Sequence, residues 1–504
     1  MALTFTIMFI VIIVATILPT KALTWSPETP LTTDPAADFQ PKILQANDWK
    51  IWVVWHSYRT VNVELFYKTS IDGGLSWSVD TRLTNNPATD GTPAIMQSQN
   101  GTIWVFWASD RTGNYDIFYK ATSNNGLSWS SEVQLTDDPG KDVAPAALQT
   151  ADGKIWVVWT SRRTLNDELF YKTSSDNGLT WTNDIQLTFN GAEDRYPSIF
   201  QAKNGTIWLT WATNRDGTTN FEIYYKTSSN NGGSWSAETR LTRDSNVDTS
   251  PSVTQAKDTT VWILWDSDRN KLPGGISQTD LYYNVYNGVS WSGETRFTTN
   301  ESDDMQGHIT QGKTDLFITW VSDRLGNYDI FFTHAFVPVH DVATTEVKPY
   351  ASKVYSGNPL KINVTVANEG TYNETFGVSI YRNGTLIGTQ TVTDLVPDGS
   401  RTLTFIWDTT GVPKGYRYTI SATAATVPGE LDTADNSLTD GTVHVKIPGD
   451  INSDNIVNVY DAILLSTNFT HSASDYPDAD INSDGYINVL DAIILISHWG
   501  ETVP

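Results

Sequence analysis

Near its C-terminus the chain writes the same oxygen-rich pattern twice. Asp450, Asn452, Asp454, Ile456, Asn458 and Asp461 stand at positions 1, 3, 5, 7, 9 and 12 of a twelve-residue stretch, and Asp480, Asn482, Asp484, Tyr486, Asn488 and Asp491 repeat it thirty residues on. Calcium takes six to eight oxygen ligands, and a loop with this spacing supplies them from side chains and from the backbone carbonyl at position 7. The carbonyl here is that of Ile456 or Tyr486. Position 6 must turn sharply and is Asn455 in one loop and Gly485 in the other, both tolerant of a positive φ. Two complete loops in register predict two calcium ions.

Something has to hold these loops. Ala462-Ile-Leu-Leu and Ala492-Ile-Ile-Leu-Ile follow them, so each loop runs into one short helix, with no long helix ahead of it. Positions 10 and 11 are Val459-Tyr460 and Val489-Leu490, apolar residues suited to a protein interface. Upstream, residues 337–447 alternate short strand-like runs such as Leu360-Lys-Ile-Asn-Val-Thr-Val and Arg401-Thr-Leu-Thr-Phe-Ile-Trp with Asn-Gly, Pro-Asp-Gly and Pro-Gly turns. About seven such strands predict a β-sandwich.

The rest of the chain is a repeat. Trp-x-x-Trp recurs as Trp52/Trp55, Trp104/Trp107, Trp156/Trp159, Trp208/Trp211 and Trp262/Trp265, with a worn copy at Phe317/Trp320, at a period of 52 residues that stretches slightly towards the end. Each unit reads as four antiparallel strands, the first two joined by an Asn-Gly or Asp-Gly turn, which is one blade of a propeller. The sixth copy lacks its fourth strand, while Leu23-Thr-Trp-Ser-Pro-Glu-Thr-Pro-Leu-Thr matches Leu127-Ser-Trp-Ser-Ser-Glu-Val-Gln-Leu-Thr. The N-terminal segment is therefore expected to complete the last of six blades and leave no open edge.

Two patterns repeat at one face of that ring. Arg59, Arg111, Arg163, Arg215, Arg269 and Arg324 end the second strands, and Asp38, Asp90, Asp142, Asp194, Asp248 and Asp304 precede the first. Strand direction brings both to the same face, where they are expected to pair blade by blade as structure. Function is expected where the blades differ. The loop between second and third strands is four residues in most blades, as at 112–115, but lengthens to 216–221 in blade four and 270–279 in blade five. His56, Tyr58, Arg162, Glu193 and Asp266 depart from the repeat beside it. No catalytic set is fixed; the candidates among these are Tyr58, Glu193 and Asp266.

The turn before each fourth strand, such as Ser70-x-Asp72-x-Gly74-x-x-Trp77 and Ser174-x-Asp176-x-Gly178-x-x-Trp181, matches the Asp-box pattern. Residues 23–336 thus resemble the sialidase-type Asp-box propellers, in which these boxes lie away from the active face. That resemblance implies an Arg-Ile-Pro motif near the start, and none is present; it also implies a Tyr with a Glu partner as nucleophile and an Asp acid, roles for which Tyr58 with Glu193 and Asp266 are the candidates. Asp341-Val-Ala, Val364-Thr-Val-Ala-Asn-Glu-Gly370 and Asp432-Thr-Ala-Asp-Asn436 resemble the CARDB family of immunoglobulin-like surface modules, which implies a spacer or adhesive role. Residues 448–504, with two calcium loops closed by Asp and one helix after each, resemble dockerins. Dockerins plug into cohesin modules, and well-known type I members often carry Ser-Thr at positions 10 and 11, where this chain is apolar.

The fold class expected is mainly β: a six-bladed propeller, a sandwich and a small helical calcium module. Residues 1–22 hold an apolar run ending in Pro19-Thr-Lys-Ala22 and read as an export signal, with a retained anchor as the alternative. Sequons at Asn100, Asn204, Asn300, Asn363, Asn373, Asn383 and Asn468 suit an exported surface. A net charge of −24 argues against nucleic acid or anionic lipid as partner, and the lack of cysteine excludes thiol chemistry. The expected protein is extracellular or cell-surface, without a membrane span in the mature chain, binding a glycan or protein ligand through the propeller and a cohesin through the dockerin. A dockerin-tethered glycoside hydrolase and a structural adhesion protein are the alternatives.

Overall fold

The computed structural model describes residues 23–217, 220–271 and 277–503. The expected export signal lies outside these residues, as do parts of both long rim loops. Among the described residues there are six four-stranded antiparallel sheets; in five of them the strands follow chain order, and in the sixth the first strand of the chain takes the outer place. The sheet starting at Asp142–Gln149 is typical: it continues through Ile155–Ser161 and Glu168–Ser174 to the two-residue strand Ile185–Gln186. The fourth strands are shorter than the alternation suggested, two residues each, although the residue after each Asp-box Trp already donates to the third strand, as Ser78 N–H does to the Thr69 carbonyl at 2.8 Å.

The sixth sheet closes the ring as expected. Thr29–Pro30 pairs with Asp329–Phe336, Thr29 opposite Phe332 and Pro30 opposite Phe331, and Ser26 N–H donates to the His334 carbonyl at 2.8 Å. Glu28 of this segment also pairs with Arg324, so the closing strand supplies the acid that the outer strands supply in other blades.

Burial follows from the repeat. The second Trp of every copy, from Trp55 to Trp320, has no exposed surface. The first Trp meets the Asp-box Trp of the next blade edge-on, Trp52 with Trp129 at 6.1 Å and Trp208 with Trp291 at 6.2 Å. Each full Asp-box Gly has a positive φ and lies so close to an aromatic ring that a Cβ would clash: Gly126 sits on Trp52 and Gly178 on Trp104. Both constraints demand glycine, so the box is a packing device.

A third repeating device was missed in the sequence. Gln97, Gln149, Gln201, Gln255 and Gln311, at the ends of the first strands, each accept through Oε1 from a turn N–H of the preceding blade, at 2.6–2.9 Å. Gln45 accepts from Lys313 N–H at 2.6 Å and makes the circuit continuous. The signal was available as Gln at the fixed period.

The sandwich packs the sheet of Val342–Pro349, Pro359–Asn368 and Ser400–Asp408 against a five-stranded sheet that ends in Thr385–Leu395. Their core holds Ile362, Val378, Trp407 and Ile420. The sandwich sits against the Asp-box side of the ring. Lys203 and Lys257 reach it from blades four and five and Lys313 from blade six, all from the same turn position; Lys257 and Lys313 share Asp398 at 3.2 and 3.3 Å. At that position blades one to three carry Asn47, Gln99 and Ala151.

Two helices complete the described chain, α1 (Val459–Thr467) and α2 (Val489–Ser497). Their small core, including Val457, Leu465, Ile487 and Leu495, is continuous with Tyr355 and Ile447 of the sandwich. No helix among the described residues is long and apolar enough to cross a membrane.

Candidate functional sites

The inner strand of each blade lines the central channel, and its start carries the same irregularity. Gln40, Thr92, Ala144, Tyr196, Ser250 and Gln306 all have φ between 50° and 57°. Pro follows the first five and Gly307 the sixth, and the strand register slips there in every blade. A positive φ is unfavourable for such residues and costs on the order of 1–3 kcal/mol each, so a ring of them at the channel mouth is stored strain held by the surrounding blades.

The bulge N–H groups find acceptors on neighbouring blades. Tyr196 N–H donates to Thr160 Oγ1 at 3.2 Å and Gln40 N–H to Gln306 Oε1 at 2.8 Å. Asp266 belongs to this set: its carboxylate accepts from Gln306 N–H at 2.8 Å and Gly307 N–H at 3.3 Å. It is only 4% exposed, and burial pushes its pKa up to about 7 although both N–H donors and Lys42 favour the charged form. Burial likewise lowers Lys42 to about 8.

The expected pairing of Arg and Asp occurs in all six blades, Arg111 on Asp90 and Arg269 on Asp248 with two hydrogen bonds each. The Asp side chains are fully buried. Each Arg also reaches an acid near the fourth strand and lies over an aromatic ring of the third, Arg163 over Phe170 at 4.4 Å. Buried and sixfold, these pairs fasten strands together.

The candidates that break the symmetry are not brought together as a nucleophile pair. Tyr58 stands half-exposed on Phe39 and His56, with ring centroids 5.9 and 6.0 Å away. His56 is buried and pushed down to about 4, so it is neutral. Glu193 lies elsewhere on the rim, in a closed ring of charges: Arg162 binds Glu193 at 3.3 Å and Asp167 at 3.1 Å, while Arg195 binds Glu193 at 2.8 Å and Asp167 at 2.5 Å. Glu193 is held by two guanidiniums rather than by Tyr58. The long rim feature in blade five is also not a loop: Val261–Lys271 and Ser277–Tyr286 extend the hairpin, pairing Asn270 with Gln278 and Lys271 with Ser277.

The side chains at the mouth instead form a broad depression. One lobe, about 250 Å³, lies between Tyr58, Tyr115 and Lys141; another, about 360 Å³, between Arg195, Phe221 and Asp266. Tyr196 borders both lobes and the narrow channel opening between them, and it is 37% exposed. Sequence reasoning passed over Tyr196, whose only signal was an aromatic before the conserved-position Pro of its own repeat.

The two C-terminal loops are built alike. Asp450 Oδ1 and Oδ2 accept from Asp454 N–H (3.1 Å) and Asn455 N–H (3.2 Å); Asp480 accepts from Asp484 N–H (3.1 Å) and Gly485 N–H (2.9 Å). Asp461 and Asp491 close the loops by accepting from Ile451 and Ile481 N–H, each at 2.8 Å, and also complete the capping boxes of α1 and α2 with Asn458 and Asn488. Asn455 and Gly485 take positive φ at position 6. Asp450, Asp461 and Asp491 are fully buried, and burial first, then neighbouring carboxylates, raises Asp450. An all-oxygen donor set that concentrates buried negative charge without enough cations fits a hard divalent ion.

Outward from the loops, Val459, Tyr460, Val489 and Leu490 are 50–66% exposed. Ile463 and Ile493 extend each stripe by one turn. Beneath the loops the sandwich grips the backbone: Tyr355 Oη donates to the Asp478 carbonyl and lies 3.4 Å from that of Asp450, and Asn358 Nδ2 donates to that of Ile481 at 2.7 Å.

Residues 342–440 match the CARDB family model, and residues 448–500 match that of the dockerin type I domain. The chain is a β-propeller followed by a CARDB module and a type I dockerin. No curated protein matches it. Among solved structures, a protein of unknown function from Dyadobacter fermentans is similar at 13% identity, with TM-score 0.52 over 62% of this chain and 98% of that one. An α-L-arabinanase of Penicillium chrysogenum, solved with arabinobiose, is 16% identical with TM-score 0.48 over 59% and 93%. The NanB sialidase of Streptococcus pneumoniae is 11% identical with TM-score 0.46 over 63% and 70%. The dockerin module supports calcium as the cofactor of this chain.

Proposed function

We propose that this is an exported modular binding protein: its propeller holds a glycan or protein ligand at the Arg/Asp face, and its dockerin, with two calcium ions, tethers it to a cohesin-bearing partner. The carrying observation is the chemistry of the mouth. Tyr58, Tyr115, Tyr196 and Phe221 offer aromatic surface around a depression, while the acids beside them are engaged, Asp266 by backbone N–H groups and Glu193 by two arginines. Aromatic faces suit sugar rings or peptide side chains. Glycoside hydrolysis instead needs two carboxyl groups at a set separation, free to reach the bond.

For the dockerin, the two calcium loops set α1 and α2 so that their apolar residues stand outward, a surface suited to a cohesin. Calcium would sit between the side chains of Asp450, Asn452, Asp454, Asn458 and Asp461 with the Ile456 carbonyl, and at the matching residues of the second loop, neutralising charge so that the helix starts stay fixed.

The test is retention of the full chain on a glycan array alongside turnover of chromogenic glycosides, and capture by immobilised type I cohesin in calcium or in chelator. Retention without turnover, with capture only in calcium, is the expected result. Turnover lost in Asp266→Asn would make the chain a tethered hydrolase, a reading that Asp266, held near neutrality inside the mouth, keeps in view.

A further inference from the structure

At the joint between propeller and sandwich, three carboxylates converge from three separate segments of the sandwich. Asp341, Glu369 and Asp435 each offer an oxygen, all within 4.8 Å of one another. Their backbones are tied together, since the Asp341 carbonyl accepts from Glu369 N–H at 3.0 Å and the Asp435 carbonyl from Thr344 N–H at 2.9 Å. Asp432 adds its charge within electrostatic reach of Asp341. The cation that faces them comes from the other module: Lys203 Nζ lies 2.8 Å from Glu369, 3.6 Å from Asp341 and 3.8 Å from Asp435.

One ammonium does not satisfy this site. Asp341 is only 6% exposed, yet its Oδ1 has no hydrogen-bond partner among the described residues; the same holds for Asp435 Oδ1. A buried carboxylate oxygen without a hydrogen-bond partner, on a side chain already clustered with other carboxylates, is costly unless a cation with several coordination positions takes it up. Lysine has three donors on a flexible stem, and its side chain here is 51% exposed, so it can swing into solvent. A hard divalent ion instead accepts six or more oxygens, which three carboxylates and water supply.

We propose that Asp341, Glu369 and Asp435 form a calcium site, separate from the dockerin loops, in which Lys203 is the built-in competing cation. Calcium displaces Lys203, and the joint exchanges a lysine bridge for a metal-filled sandwich loop cluster. Lys257 and Lys313, both on Asp398, keep the modules together during the exchange.

The test is calcium stoichiometry by equilibrium dialysis on the full chain carrying Asp450→Ala and Asp480→Ala, with calcium chloride as the probe and tryptophan fluorescence as the check on the propeller fold. One residual ion per chain is expected, with affinity on the order of 10⁻⁴–10⁻³ M, the range of extracellular calcium modules. Adding Asp341→Asn abolishes it, as does the milder Glu369→Gln. Lys203→Gln removes the competitor and tightens binding about tenfold. No residual ion in the Lys203→Gln chain overturns the proposal, and so does an ion that survives both Asp341→Asn and Glu369→Gln.

Discussion

The propeller and the dockerin are both repeats, and they place function oppositely. In the dockerin the chemistry is the repeat itself: Asp450 and Asp480, and Asp461 and Asp491, make the same hydrogen bonds in both copies. In the propeller whatever repeats is scaffold. The Arg/Asp pairs, the Asp-box glycines and the Gln ring recur in blade after blade, each tied to neighbouring strands or rings. The distinctive groups, Tyr58, Arg162, Tyr196 and Asp266, occur once each. A closed sixfold ring needs every blade to hold its neighbours, so the shared residues are spent on that, and the mouth is left to the exceptions.

Calcium removal should break this comparison most severely on the dockerin side. With chelator, or with Asp450→Ala plus Asp480→Ala, amide exchange across residues 448–503 should rise to that of an unprotected chain and cohesin capture should fall by at least about 100-fold. Protection that persists without calcium would mean the hydrophobic core shared with Tyr355 suffices alone.

Next in size is a contrast between adjacent arginines. Arg163→Ala leaves Asp142 buried without its cation and should cost about 3–5 kcal/mol, a drop on the order of 10 °C in propeller melting. Arg162→Ala, at a half-exposed side chain, should cost about 1 kcal/mol or less yet weaken ligand retention. If both substitutions act alike, the division between shared scaffold and singular site fails.

Asp266 gives a pH signature. Its folded pKa of about 7 stands above the ordinary 3.8, so the native state binds this proton more tightly than the unfolded chain. That contribution is complete below about pH 4 and is lost as pH rises through 7. Between pH 5 and 8 the wild type should therefore lose about 2 kcal/mol more than Asp266→Asn, read from urea unfolding midpoints. Equal slopes would show that Asp266 is ionised throughout.

The smallest effect on stability is expected at Tyr196. Glycine adopts its φ of 55° freely, so relief of strain should offset lost packing and Tyr196→Gly should change stability by less than about 1 kcal/mol. Ligand retention should nonetheless fall about tenfold. Unchanged retention would move the site away from the mouth.

Much of the fold was legible because it is written in period. The Trp-x-x-Trp spacing showed the blades, and the match between Leu23-Thr-Trp and Leu127-Ser-Trp showed the closure that the Thr29–Phe332 pairing now displays. The two loops proposed to hold calcium stood out for the same reason, since their oxygen donors lie at fixed spacing within twelve consecutive residues. The propeller site was not, because its residues lie on different blades, and alternation says nothing about which rim side chains face each other.

By itself, then, the sequence determined what depends on local order: blade number, strand succession, the Asp-box turns and the oxygen pattern for calcium. Only the tertiary structure decided what depends on distance across the ring and between modules. It bound Glu193 to two arginines instead of Tyr58, committed Asp266 to the N–H groups of the next blade, made Tyr196 the border of both lobes, and set Lys203 among three sandwich carboxylates. The physical reason is that a charge or hydroxyl is defined by its partners and its burial, and in a closed propeller both come from strands tens to hundreds of residues away.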